Sequence, residues 1–266
     1  MEPTAITSAA DERVADYIGL RDPHHRRRLE GNEFFIAEGV SVIERLIASP
    51  YQLRSVLVTP RRYERLEPLL RTTNCPVYIA ERDILAQVAG FDLHRGAVAA
   101  ADRMTQHSLE HILATSRMIA VLEGLTDSEN LGAIARSARA LGVEALVLDP
   151  SCADPFYRRS VRVSMGEILF LPVVRSTSWS NDLGRIVASG FRLLGLTPSP
   201  FATSIHEIAR RPDDRLALLL GTEGAGLTAG ALAHAEPVRI PIRGDVDSLN
   251  VGHAAAIAFA TFAVRA

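Results

Sequence analysis

Apolar residues fall into two patterns along this chain. Short, mostly apolar runs occur at 34–37, 55–58, 76–79, 97–101, 118–122, 145–148, 168–174, 191–196, 216–220 and 238–242. Between them lie stretches in which apolar positions recur every three or four residues, at 12–20, 39–48, 63–71, 82–89, 132–141, 179–188 and 249–264. The first pattern predicts strands buried on both faces, and the second predicts helices that bury one stripe. In 39–48, for example, Val40, Ile43 and Ile47 share one helical face. Strands alternating with helices predict an α/β protein built on a mostly parallel sheet with helices on both faces.

The pattern also divides the chain. Residues 1–11 are small and polar and are expected to form a disordered terminus, while 12–104 form a small α/β unit. Residues 105–116 serve as a linker containing a short helix, and 117–266 form the larger parallel-sheet unit. The composition is that of a soluble globular protein, with 47% hydrophobic and 23% charged residues among 266. No apolar stretch approaches the length of about 20 residues that spans a bilayer. Cys75 and Cys152 stand far apart in no ligand-like spacing, which argues against a disulfide framework or a metal site and for a reducing cytoplasm.

The net charge of −2 and pI near 6.5 give no global sign of nucleic-acid binding, so any basic footprint must be local. All 29 basic residues are Arg. The densest run is Arg21-Asp-Pro-His-His-Arg26-Arg27-Arg28, readable as a solvated loop or as a phosphate-contacting surface.

Three later stretches carry the candidate chemistry. In Gly221-Thr-Glu-Gly-Ala-Gly-Leu227, glycines follow a strand, either as a plain tight turn or as backbone that approaches a ligand closely. The stretch lacks the Gly-Lys-Ser/Thr ending of a phosphate-binding loop, and it comes too late for a dinucleotide-binding first turn. Glu223 within it suits a polar anchor or a helix start. Asn130-Leu-Gly-Ala-Ile-Ala-Arg136 crosses the start of a helix, with Asn130 placed to cap it. Arg136 sits among small apolar residues, where a charge calls for a partner such as an anionic ligand. In Ile240-Pro-Ile-Arg-Gly-Asp-Val-Asp-Ser-Leu-Asn-Val251, Ser248 and Asn250 can cap a final helix whose alanine-rich surface must be buried. His253 in that helix reads as a hydrogen-bonded core histidine or as a catalytic group.

In order and content the three stretches resemble the motifs of the SpoU (TrmH-like) family of RNA ribose 2′-O-methyltransferases, of the SPOUT class. Arg162-Val-Ser-Met-Gly166 also matches an Arg-x-Ser-x-Gly segment of that family, and Phe34 followed by Glu38-Gly39 resembles its ribosomal-protein-L30-like (L30e-like) RNA-binding domain. The resemblance implies a C-terminal trefoil knot, S-adenosylmethionine as cofactor, no metal, and a homodimer acting on structured RNA. Ribosomal RNA is the expected substrate; transfer RNA, or a catalytically silent RNA-binding protein of the same fold, are the alternatives. Carried over, Leu196, Thr197, Leu220, Gly221, Glu223, Gly226, Ile240, Ile242 and Leu249 hold the cofactor. Asn130, Arg136, Glu223, Ser248 and Asn250 fall on catalytic positions, and Arg26, Arg27, Arg28, Arg136 and Arg162 are expected to meet RNA. Two departures stand out: Ile242 replaces the family's Met, and Gly252-His253 replaces Ser-Val.

Overall fold

The computed structural model describes residues 2–105, 107–209, 213–222 and 224–263, apart from the side chains of Pro23, His24 and Arg27. Contacts divide the chain into two compact units, Met1–Thr105 with Phe156–Phe170, and Gln106–Pro155 with Leu171–Ala266.

The first unit holds β1 (Thr4–Ile6), β2 (Phe34–Glu38), β3 (Leu53–Val58), β4 (Val77–Ala80) and β5 (Ala97–Asp102) in the order β1-β4-β3-β5-β2. β1, β4 and β3 run parallel, whereas β5 is antiparallel to β3 and β2. The terminus expected to be disordered thus contains a strand. Ile6 is the reason: it drops into a core with Val14, Tyr17, Leu57 and Leu85, and β1 completes the ladder of β4. The Tyr17 hydroxyl lies 2.7 Å from Ser55 Oγ and accepts from the Ala100 N–H, while burial pushes the phenol far above its ordinary pKa.

The basic run 21–28 also departs from expectation. It enters a helix, Pro23–Glu30, with Pro at the first position, where a missing N–H costs nothing. Arg26 turns inward and is only 2% exposed. Its Nε donates to Glu30 Oε1 at 2.8 Å, and its Nη1 donates to the carbonyls of Asp16 and Ile18. Arg26 is therefore a structural cation and not an RNA contact. Arg28 is exposed, and the side chain of Arg27 lies outside the described residues. Replacing Arg26 with Ala breaks its buried pair with Glu30 and removes its bonds to the Asp16 and Ile18 carbonyls, and is expected to cost about 3–5 kcal/mol. Urea unfolding will read this loss, and an unchanged midpoint would contradict the pairing.

Residues 156–170, expected within the second unit, join the first by contact. Their helix Arg158–Val163 places the Arg158 guanidinium on the Glu38 carboxylate and, at 3.2 Å, on the Leu20 carbonyl. Arg162, expected to meet RNA, sits 3.7 Å from the other oxygen of Glu38. Phe156 packs on Phe35 and Tyr51. A Cβ on Gly166 would come within 2.9 Å of Arg45 Cβ, and its φ of +80° favours glycine as well. The strand expected at 168–174 is instead a 3-10 turn, Glu167–Phe170, followed by a short strand, because Pro172 interrupts the ladder.

The second unit's sheet consists of β6 (Met118–Leu122), β7 (Ala145–Leu148), β8 (Val173–Arg175), β9 (Phe191–Leu196), β10 (Thr203–Ser204), β11 (Arg215–Leu220) and β12 (Glu236–Arg239). Its order is β10-β12-β9-β11-β6-β7-β8, and every pairing is parallel. Unbroken apolar runs in β6 and in residues 216–220 of β11 reflect burial of both faces, while β9 admits the half-buried Arg192. One face packs on helix Trp179–Ala188 and on helix Leu109–Thr115. The expected linker is accordingly part of this core, through Leu109, Ile112 and Leu113.

Helix Val251–Phe262 packs against helix Ser128–Ala140. It buries Val251, Ala255, Ala258, Phe259 and Phe262, while His253 and Ile257 face outward. The final helix is thus buried on one face only. His253 is not a core histidine, because its position falls off the stripe that meets the neighbouring helix. Among the described residues, no helix is long and apolar enough to cross a membrane.

Candidate functional site

β12, β9 and β11 are parallel neighbours, so their carboxyl ends open at one edge of the sheet, where α/β proteins place their ligands. A cavity of about 460 Å³ lies there, within the usual size range of small-molecule sites. Leu196, Thr197 and Pro198 enter it from the end of β9, and Leu220, Gly221, Thr222, Gly224 and Gly226 from the end of β11. The segment after β12 adds Ile240, Ile242, Ser248, Leu249 and Asn250, with Val251 and Ala254 from the final helix.

Local chemistry builds each wall. The Thr197 N–H donates to the Val238 carbonyl at 2.9 Å, tying the β9 exit to β12. The glycine-rich loop closes through the Gly226 N–H on the Thr222 carbonyl, with Gly224 and Gly226 at φ values of +89° and +70°. Asn250 caps the final helix as expected, its Oδ1 accepting from the N–H groups of Gly252 and His253. Its Nδ2 donates to Asn130 Oδ1 at 3.0 Å.

Asn130 is not itself a cap. Its helix starts two residues earlier, at Ser128, because the Asp127 carboxylate accepts from the Glu129 N–H and supplies the cap first. Asn130 instead faces Asn250. Arg136 stands exposed on the same helix, off the described cavity wall, and is not buried with an ionic partner among the described residues. Glu223 lies outside the described residues.

The cavity's described lining carries no charged side chain. It offers aliphatic walls, hydroxyls, an amide and close-lying backbone, with no cation to neutralise a phosphate. A nucleoside without phosphates suits such a lining better than a nucleotide does. S-adenosylmethionine, an adenosine joined to an amino acid through a sulfonium, has that character.

The family model of the SpoU rRNA methylase family matches residues 117–260, most of the second unit and the whole of this cavity. The chain belongs to that family. An uncharacterized tRNA/rRNA methyltransferase of Mycobacterium tuberculosis is 45% identical over 94% of this chain and 88% of its own length. A 23S rRNA (guanosine-2′-O)-methyltransferase of Bacillus subtilis, RlmP, is 29% identical over 95% and 96% of the two chains. The SpoU methyltransferase AviRb of Streptomyces viridochromogenes, solved in complex with AdoMet, superposes with a TM-score of 0.77 at 25% identity, covering 94% and 96%. As a SpoU-family member the protein is an RNA methyltransferase, and its methyl donor is S-adenosylmethionine.

One group beside the glycine-rich loop had gone unremarked in the sequence. Glu123, directly after β6, is a buried carboxylate that accepts from three neutral donors: Trp179 Nε1 at 2.8 Å, the Thr228 N–H at 2.9 Å and Thr228 Oγ1 at 2.9 Å. It thereby pins the far end of the glycine-rich loop to the strand beside it. The signal was an acid placed straight after an unbroken apolar strand. Glu123→Gln keeps the shape but turns one acceptor into a donor facing donors. Calorimetry is expected to show about tenfold weaker cofactor binding, with kcat largely kept at saturating cofactor. Equal affinity in the variant would remove Glu123 from the site.

Proposed function

We propose that this enzyme transfers a methyl group from S-adenosylmethionine to a ribose 2′-OH of structured ribosomal RNA. The observation that carries the reading is one cavity whose described lining is uncharged and draws on two of the three family stretches, with Asn130 of the third bonded to Asn250 of its wall. Leu196, Thr197, Leu220, Gly221, Gly226, Ile240, Ile242 and Leu249 hold the cofactor, mostly through backbone and aliphatic contact. When bound, S-adenosylmethionine supplies an electrophilic methyl group on a positively charged sulfur.

The side chains position the acceptor. Asn130 and Asn250 fix each other, with Ser248 beside them and Glu223 as a polar anchor. Arg136, exposed and rigidly mounted on a helix, grips the RNA phosphate or ribose and stabilises negative charge developing on the 2′ oxygen. A guanidinium is a poor base, so electrostatic stabilisation is the role assigned to it. In-line transfer would form a C–O bond and break a C–S bond, leaving a neutral sulfur, with the hydroxyl proton passing to solvent.

The finer architecture belongs to the same reading. The first unit serves as an L30e-like RNA-binding domain, and the segment from β12 to the final helix threads a trefoil knot. Support for the knot comes from β12 lying beyond β9 while the chain returns to pack its last helix on Ser128–Ala140. Cys75 and Cys152 are both free and buried, which fits a cytoplasmic enzyme.

The direct test is methyl transfer from radiolabelled cofactor to ribosomal and transfer RNA, followed by hydrolysis and nucleoside separation. Label is expected in a 2′-O-methylnucleoside of ribosomal RNA. Label in a base, or in transfer RNA alone, would overturn the assignment. A homodimer using the outward face of the final helix, where Ile257 is exposed, is expected in sedimentation. A stable 28.9 kDa monomer at micromolar concentration would refute that part.

A further inference from the structure

A second cleft, in the first unit, has a chemistry opposite to that of the cofactor cavity. β3 and β4 are parallel neighbours whose carboxyl ends feed helices Pro60–Leu70 and Arg82–Ala89, so two helix N-termini open at one edge of that sheet. Neither helix has a side-chain cap: Thr59 and Glu81 occupy the cap positions without bonding the free N–H groups. A cleft of about 380 Å³ lies at this edge, and Arg61, Arg62, Arg82 and His94 line it from three separate segments.

These cations differ in how far they are already engaged. Arg82 makes a two-bond pair with Asp92, at 3.0 and 2.7 Å, and His94 Nδ1 lies 3.3 Å from the same carboxylate. Among the described residues, Arg62 donates its Nε to the Arg95 carbonyl at 3.1 Å, which orients the guanidinium and leaves its outer N–H groups available to donate. Arg61 is exposed and forms no ion pair among the described residues. Glu81 is the one carboxylate on the described wall, against the four basic residues. The floor is closed tightly: the Thr59 N–H donates to the Gly96 carbonyl, and a Cβ on Gly96 would sit 3.0 Å from Thr59 Oγ1.

We infer that this cleft is where the first unit takes hold of the RNA backbone, with Arg61 and Arg62 as its phosphate contacts. The inference rests on the proposed RNA methylation and relocates the basic footprint from the run at 21–28, whose Arg26 is consumed internally. Paired guanidiniums beside uncapped helix N-termini match phosphate oxygens in geometry and charge. The cleft is open, with Arg61 exposed and Arg62 half-buried, so each contact is weak alone and gains from a polyanion that makes several at once.

The experiment uses the full chain and a double variant, Arg61→Ala with Arg62→Ala, with Arg71→Ala as the control. Arg71 follows the far end of the same helix and pairs with Glu67. Binding of a fluorescein-labelled hairpin of ribosomal RNA is followed across a KCl series. The double variant is expected to bind about tenfold more weakly, with the slope of log affinity against log salt reduced by roughly 1.4 to 1.8. The control and the calorimetric affinity for S-adenosylmethionine are expected to match wild type. If wild type methylates ribosomal RNA while the double variant keeps its affinity and slope, the cleft is wrong and the function stands. If wild type neither binds nor methylates RNA, the proposed function itself falls and takes this inference with it. Inorganic phosphate that raises the melting temperature only when Arg61 and Arg62 are present, with RNA affinity unchanged, would mark a small-anion site and overturn the RNA assignment.

Discussion

Replacing Arg136 with Ala is expected to slow methyl transfer by about a hundredfold or more while cofactor affinity stays within about twofold of wild type. The separation follows from position. Arg136 lies on the exposed face of helix Ser128–Ala140 and does not line the cavity, so the cofactor loses nothing when it is truncated. Its helix is anchored at both sides, by the Asp127 cap and by packing against the final helix, so the side chain projects from a rigid base. If it stabilises charge that develops only in the transition state, its loss appears in kcat rather than in KM for the cofactor. Arg136→Lys keeps the charge but not the planar fork, and is expected to be impaired as well. Single-turnover rates at saturating RNA and cofactor measure the chemical step directly. A near-normal rate for Arg136→Ala there would mean that the methyl transfer is stabilised elsewhere.

Whether a residue's role was legible in the sequence depended on how local its determinants are. β6 and residues 216–220 of β11 were readable because strands buried on both faces must be apolar throughout. β1 was not, since three residues with one buried side chain have no period to detect. The cavity wall was largely readable: Leu196, Leu220, Gly221 and Ile240 sit at or just past strand ends, where the change of pattern is visible in the chain itself. Asn130 was misread as a cap because an Asn at a helix start has that local meaning. Its actual partner, Asn250, lies 120 residues away, and only the fold brings the two together. Arg26 shows the same limit. A run of like charges does not reveal which member turns inward, and the answer lay in Glu30 together with two carbonyls of the preceding segment. Glu123 escaped notice for the converse reason, since its three bonds come from Trp179 and Thr228, far along the chain.

Gly221→Ala is expected to weaken S-adenosylmethionine binding by about a hundredfold, near 2.7 kcal/mol. Gly221 needs no unusual φ; what it requires is space. A Cβ there would stand 2.4 Å from the Gly226 carbonyl carbon, 2.5 Å from the Leu227 nitrogen and 2.6 Å from the Gly226 oxygen. All three are backbone atoms and cannot rotate away, so the loop itself must move. The loop has little freedom to do so. It is closed by the Thr222–Gly226 bridge, anchored through Leu227 in the core, and pinned at Thr228 by Glu123. Because Gly221, Thr222, Gly224 and Gly226 are themselves the wall, any shift that relieves the clash reshapes the cavity. Overpacking of this kind also costs roughly 1–3 kcal/mol of stability, so the melting temperature is measured alongside affinity. Gly230→Ala is the matched control: a Cβ there meets only Thr228 Oγ1, at 3.9 Å, and the substitution in a helix is expected to be neutral or mildly stabilising. If calorimetry on folded Gly221→Ala gives wild-type affinity, the cofactor does not depend on the close approach of this turn, and the cavity at the ends of β9, β11 and β12 is not where it binds.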